Sequence, residues 1–167
     1  MSVLVLGEHE DGAIAGATLS TVAAAVQIDA DVHMVIAGND SAGVAEAAAK
    51  IAGVTKVRHI DDGASAHPLA ESMADLVVSL AGDYSHVLAN HTSVGRNILP
   101  RAAALLDVAP IADIQAVIDS ETFERPIYAG NAIATVKSSD ALKLITVRAT
   151  AFEAAAADRS EEHTSEL

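Results

Sequence analysis

The chain has 167 residues, 51% of them apolar, and no cysteine. That is enough for one domain with a sizeable core, and it excludes disulfides, thiolate catalysis and zinc–thiolate sites. A formal net charge of −13 excludes nucleic acid as a partner, because such a surface repels phosphates. Apolar runs fall short of the roughly 18–20 residues that cross a bilayer, so no membrane insertion is expected.

Met1-Ser2 leads directly into the apolar residues 3–6. No basic n-region, cleavage site or Arg-rich amphipathic lead precedes them. A bacterial cytoplasmic protein is the simplest reading, with a mature mitochondrial matrix protein as the alternative.

Residues 3–6, Val-Leu-Val-Leu, have the length of a buried strand. Ile14, Thr18, Val22 and Val26 recur every four residues and predict a helix. Asp31 leads into a second strand over 32–37. Ser41 is placed to cap the next helix, and Gly53 to end it in a left-handed conformation with Val54 beyond. Residues 56–60 form a third strand. His67-Pro68 opens a third helix, with Pro where a missing N–H costs nothing, and Gly82 closes it. A fourth strand covers 84–89 and a fourth helix runs from about residue 94 to 106.

Strands separated by single helices read as βαβ units. After Pro110 the pattern changes. Residues 111–118, 123–128, 131–137 and 143–148 are short strands joined by turns such as Gly130-Asn131 and Ser138-Ser139-Asp140. The expected fold is α/β: a three-layer, Rossmann-like, mostly parallel sheet flanked by helices, with antiparallel or edge strands added after Pro110. The domain is expected over 1–153. Ala154 to Ala157 starts either a helix or a linker, the latter over 154–158.

The tail from Arg159 to Leu167, RSEEHTSEL, has no relation to the preceding pattern. It back-translates without mismatch to AGATCGGAAGAGCACACGTCTGAACTC, which resembles a DNA-sequencing adapter. The natural frame is therefore expected to be cut near Ala157 or Asp158, the alternative being an ordinary disordered acidic terminus.

In a parallel α/β fold, phosphate binds where strands end and helices begin. The first such turn, Gly7-Glu8-His9-Glu10-Asp11-Gly12, carries three carboxylates and no G-x-G-x-x-G. No Walker sequence and no Ser-Gly-Gly-x-Asp-Ser loop occurs. Glu8 to Asp11 reads as a solvated loop rather than a metal cluster, because adjacent residues rarely converge on one ion. His33, His59 and His86 fall within strands, His67 at a helix start and His91 in a loop, each more simply structural than a ligand. No G-x-S-x-G elbow supports a catalytic triad. The turn His91 to Arg96 opens a helix; it either holds an anion with its amides and Arg96, or is capped by Thr92 or Ser93. Two Phe, two Tyr and no Trp leave no stacking platform.

Four segments carry a family resemblance: Leu99-Pro100-Arg101, Ala109-Pro110-Ile111-Ala112-Asp113-Ile114, Arg125-Pro126-Ile127-Tyr128-Ala129-Gly130-Asn131-Ala132 and Thr146-Val147-Arg148. With Glu8-His9 and Gly95-Arg96-Asn97, they resemble the N-terminal domain of the electron-transfer flavoprotein α-subunit. The likeness runs from Ser2 to about Ala157 and is loosest over 63–83.

The resemblance implies a heterodimeric electron carrier, not an enzyme. It implies a β-subunit partner, electrons arriving from acyl-CoA dehydrogenases, and delivery to a membrane quinone oxidoreductase. It implies FAD in a C-terminal domain absent from this chain, so no cofactor or catalytic residue is carried over. A nitrogen-fixation or carnitine paralogue shares the same domain. Arg96, Asn97, Arg101, Tyr128, Asn131 and Arg148 are the candidate interface or motif residues. Tyr128 and Asn131 either shape a turn against a partner, or cover the sheet edge with Asn in a left-handed position. Arg148 is expected in an ion pair whose partner the sequence leaves unnamed. The alternative from another class is a stand-alone nucleotide-binding α/β domain or small hydrolase-like enzyme.

Overall fold

The computed structural model describes residues 1–61, 63 and 69–158. Strand β1 (Val3–Leu6) is buried along its whole length. Burial on both faces is what a continuous apolar run in a parallel sheet requires. A short hairpin of β2 (His9–Glu10) and β3 (Ala13–Ile14) follows, then helix α1 (Gly16–Val26), β4 (Val32–Gly38), α2 (Ala42–Ala49) and β5 (Val54–Asp61). Next come α3 (Ala70–Leu80), β6 (His86–Asn90), α4 (Ser93–Leu105) and β7 (Pro110–Ile114). The chain continues through β8 (Ala116–Val117), β9 (Thr122–Ile127), β10 (Ala132–Lys137) and β11 (Lys143–Val147).

Six strands form one sheet in the order β5-β4-β1-β6-β11-β7, and every pairing in it is parallel. Side chains alternate across it with the two-residue period of a strand. Val3 and Val5 join Val22, Ala25, Val44 and Ala48 from α1 and α2. Leu4 and Leu6 join Val77, Ile98, Leu99 and Ala103 from α3 and α4. Helices thus cover both faces, which gives the three-layer α/β architecture the sequence predicts.

The strands after Pro110 are arranged differently in detail. β7 is an edge strand as expected, but parallel. β11 is not at an edge: it inserts between β6 and β7, and all five of its residues are buried. The antiparallel strands β8, β9 and β10 form a sheet of their own rather than extending the main one. The expected strand over 111–118 is split at Gln115. Asp113 has φ of 61°, and the β7–β11 register shifts between Ile145 and Val147, so a bulge turns the chain out of the main sheet.

Local expectations were met unevenly. Gly53 does adopt a left-handed φ of 97°. Ser41 stands at the start of α2, but its hydroxyl bonds His59 Nε2 at 2.8 Å and caps nothing. Ile14 lies in β3, not in α1, and Val26 is exposed. The buried stripe of α1 is built instead from Thr18, Ser20, Thr21, Val22, Ala24 and Ala25. α3 ends at Leu80, before Gly82, which sits in a 3₁₀ turn over Ala81–Asp83. The expected opening of that helix at His67-Pro68 lies outside the described residues. So does the tail from 159 to 167. No helix forms over 154–157; Ala155 N–H donates to Leu19 O at 3.1 Å, and Ala156 O accepts from Ala52 N–H at 2.9 Å.

Candidate functional site

The C-terminal ends of β1, β4 and β6 open onto a cavity of about 780 Å³. In open parallel sheets this end is where ligands bind. Its wall is a polar network the sequence did not reveal. Glu8 is half-buried rather than solvated. Its carboxylate accepts from Asn90 Nδ2, and from Thr92 Oγ1 at 2.9 Å. Asn90, only 1% exposed, also donates to Thr18 Oγ1 at 3.1 Å, and its Oδ1 accepts from Thr21 Oγ1 at 2.6 Å. A carboxylate accepts only, so Glu8 fixes which way the Asn90 amide points. His9 Nε2 donates to Ala37 O at 2.8 Å, while Glu10 and Asp11 face solvent. The expected loop is therefore a small hairpin tied to the sheet ends. Among the described residues no group of three or more His, Asp or Glu is arranged to hold a metal.

The turn opening α4 resolves as a cap. Thr92 Oγ1 accepts from Gly95 N–H at 3.3 Å, so no external anion is needed there. Gly95 lets the helix press on the end of β6: a Cβ there would lie 1.9 Å from Asn90 O. Asn97 and Arg101 are exposed on α4 and form no ion pair among the described residues. They are not drawn into either polar cluster.

A second cluster gathers two of the expected residues, Arg96 and Arg148, with Asp113, Arg125 and Thr146 from the quoted motifs and His91 from the turn that opens α4. Arg148 donates to Asp113 through Nε at 3.0 Å and Nη2 at 2.6 Å. This two-point fork identifies the partner the sequence left open. Asp113 N–H donates to Thr146 Oγ1 at 2.9 Å, and His91 Nδ1 meets the same hydroxyl at 2.9 Å. Arg125 Nε donates to Ala112 O at 2.7 Å. The signal for this cluster was in the motifs themselves, because Asp113, Arg125, Thr146 and Arg148 all fall within them. Only the bulge brings them together. The Arg148 fork holds the Asp113 carboxyl below its usual range, against the opposing effect of burial.

Burial holds both His86 and His91 below the ordinary imidazole range. For His86 a bond from Nε2 to Ser120 O at 2.7 Å opposes this, and for His91 the Asp113 charge does. A base with a lowered folded pKa is neutral in the fold, so the unfolded chain binds protons first. Their contribution is present above the unfolded value of 6.5 and is lost as pH falls below it. The melting temperature is expected to drop between about pH 8 and pH 5, and to drop less in His86→Gln. A flat melting profile over that range would contradict the assignment.

The β9–β10 hairpin presents the third feature. Tyr128, Ala129 and Gly130 have φ of 49°, 53° and 87°, three successive left-handed residues. Asn131 is right-handed, with φ of −72°, contrary to the reading that put it in the left-handed position. Tyr128 covers no sheet edge: it is 79% exposed, and Ile133 beyond the turn is 59% exposed. Left-handed non-glycine residues are costly and persist where surrounding structure holds them, commonly at functional surfaces.

A parallel sheet between helix layers, its strand-end cleft occupied by an internal carboxylate, defines an α/β domain of nucleotide-site architecture without a phosphate cradle. The chain belongs to the electron transfer flavoprotein domain family, whose profile matches residues 3–166. It is similar to the electron transfer flavoprotein subunit alpha of Pseudomonas aeruginosa, with 56% identity over 158 residues, 95% of this chain and 51% of the relative. The Paracoccus denitrificans subunit alpha is 50% identical over 155 residues, covering 93% of this chain and 50% of its own length. A mitochondrial subunit alpha from Dictyostelium discoideum is 42% identical over 160 residues, covering 91% of this chain and 45% of its own length. The chain thus spans about half the length of the curated relatives it matches.

The residues present do not fit a flavin diphosphate. Glu8 occupies Asn90 and Thr92 at the strand ends, Glu10 and Asp11 add charge of the wrong sign, and among the described residues no Phe, Tyr or Trp lines the cavity. No helix among the described residues is long and apolar enough to cross a membrane.

Proposed function

We propose that this chain is a docking and scaffold module of an electron-transfer flavoprotein α-subunit, carrying no catalytic residues of its own. Its partner in this reading is the electron-transfer flavoprotein β-subunit. FAD belongs to a second domain of the α-subunit, outside this chain. The assembled carrier takes electrons from acyl-CoA dehydrogenases and delivers them to a membrane quinone oxidoreductase, in a bacterial cytoplasm or a mitochondrial matrix. Family membership and the mismatch between Glu8 and a diphosphate support this over a stand-alone nucleotide-binding enzyme.

The observation that carries the docking role is the β9–β10 hairpin. It holds Tyr128 and Ile133 out in solvent on a turn of three left-handed residues. An exposed aromatic with an aliphatic neighbour is a common interface anchor. Asn131, at the base of the same turn, belongs to this face. Arg148 and Asp113 stiffen the bulge from which the antiparallel sheet departs. Arg96, Asn97 and Arg101 lie along α4 as a second, polar contact line.

The test is co-expression with a flavoprotein β-subunit. The wild-type chain is expected to co-purify with it. Tyr128→Glu/Ile133→Glu is expected to lose at least roughly tenfold in affinity while keeping its melting temperature, since neither side chain is packed. Unchanged co-purification of the double variant would place the interface elsewhere.

A further inference from the structure

Between α4, β7 and β9 lies a smaller cavity of about 340 Å³, separate from the strand-end cleft. Arg96 and Arg125 line it with His91 and Asp113, over a floor that includes Leu99 and Ile111. We propose that this cavity binds a carboxylate carried on a short apolar stem. The inference goes beyond the docking role and does not depend on it.

Charge selects the ligand. Asp113 is already held at both oxygens by Arg148, so that pair is neutral toward the cavity. Arg96 and Arg125 have no carboxylate partner among the described residues. That leaves two uncompensated guanidinium groups facing one cavity, in a chain of net charge −13. Arg125 is aimed by its Nε bond to Ala112 O, and its two terminal nitrogens form no hydrogen bond among the described residues. Guanidinium terminal nitrogens match a carboxylate in the two-point geometry.

His91 senses the same arrangement. Arg96, Arg148 and Arg125 all favour its neutral form, so the three cations act on one space. Thr146 Oγ1 accepts the Asp113 N–H and pairs with His91 Nδ1. His91 Nε2 lies 3.9 Å from Asp113 Oδ1.

Size and sign narrow the class. The cavity has room for about ten waters by volume, enough for a group of a few heavy atoms. Leu99 and Ile111 favour hydrocarbon behind the charge, which a carboxylate on a stem carries and inorganic phosphate does not. A free short-chain acid and a glutamate side chain from a partner protein share this chemistry.

The experiment is an NMR-monitored titration of the full chain with sodium butyrate, with inorganic phosphate as comparison. Saturable butyrate binding is expected, with shifts at the amides of His91, Ala112, Asp113 and Arg125, and weaker phosphate binding. Arg125→Gln and Arg96→Gln should each weaken it roughly tenfold or more, as loss of a charged donor does. Arg96 is exposed and packs no core, so Arg96→Gln keeps the test informative even where Arg125→Gln fails to fold. No saturable butyrate binding, tighter binding of phosphate, or unchanged affinity in Arg96→Gln would each overturn the proposal. Repeating the titration with a bound flavoprotein β-subunit separates the sources. Exclusion of butyrate assigns the carboxylate to that partner and retained binding assigns it to a free acid; both uphold the site.

Discussion

Gly95→Ala is expected to lower stability by about 3 kcal/mol, the upper range for overpacking. The added Cβ would stand 1.9 Å from Asn90 O and 3.1 Å from the carbonyl carbon behind it. Both belong to backbone at the end of β6, a strand hydrogen-bonded on both sides to β1 and β11. Neither neighbour is the tip of a flexible side chain, so the clash is relieved only by lifting α4 off the sheet. That movement strips Ile98, Leu99, Ala102 and Ala103 from the core they share with Leu4, Val87 and Leu144. It also pulls Thr92 away from Glu8. Urea unfolding of wild type and variant measures the loss directly. A change below about 0.5 kcal/mol, the range of surface substitutions, would show that the helix start tolerates a Cβ.

Asn90→Leu is the second large effect, also expected to cost about 3 kcal/mol. The replacement is close in size, so little of the cost is cavity. It removes one hydrogen-bond partner each from Thr21 Oγ1, Thr18 Oγ1 and the Glu8 carboxylate. Thr18 and Thr21 are fully buried and would keep only their backbone partners at Glu8 and Ala17, so part of each group's desolvation penalty goes unrelieved. Asn90→Asp is not a rescue, because it sets a second carboxylate against Glu8 and supplies no donor. A double-mutant cycle of Asn90→Leu with Thr21→Val separates coupling from shape. Additive losses would show that the two side chains are not energetically linked.

Much of the fold was legible from the order of apolar runs and helices along the chain. Val3 to Leu6 has the length and composition of a buried parallel strand, and the single helices between successive strands force parallel crossovers. Helix starts and ends were less legible. Ser41 looks like a cap, yet its hydroxyl is taken by His59 from β5, a contact that no local pattern encodes. The failure to see β11 inside the sheet has a similar cause. Its five residues, Lys-Leu-Ile-Thr-Val, are short enough to fit an edge, and only the pairing partners decide.

The polar sites were legible in parts. The carboxylates after β1 were visible in the sequence, but the Glu8 contacts were not, because Asn90 and Thr92 are more than eighty positions away. Arg148 was read as half of an ion pair. Its partner Asp113 lies 35 residues earlier, in a left-handed conformation that aspartate is among the few side chains to accept. The hairpin turn was recognised from Gly130-Asn131. The left-handed residues nevertheless fall one to three positions earlier, and that shift turns Tyr128 into solvent.

The most direct measurement is hydrogen exchange of this chain alone and bound to a flavoprotein β-subunit. The account predicts added protection over Ile127 to Thr135, centred on the turn that holds Tyr128, with no new protection at Glu8 to Gly12 and no visible flavin absorbance. Protection confined to Glu8–Gly12 and the strand-end cleft, or flavin bound to the chain itself, would contradict it.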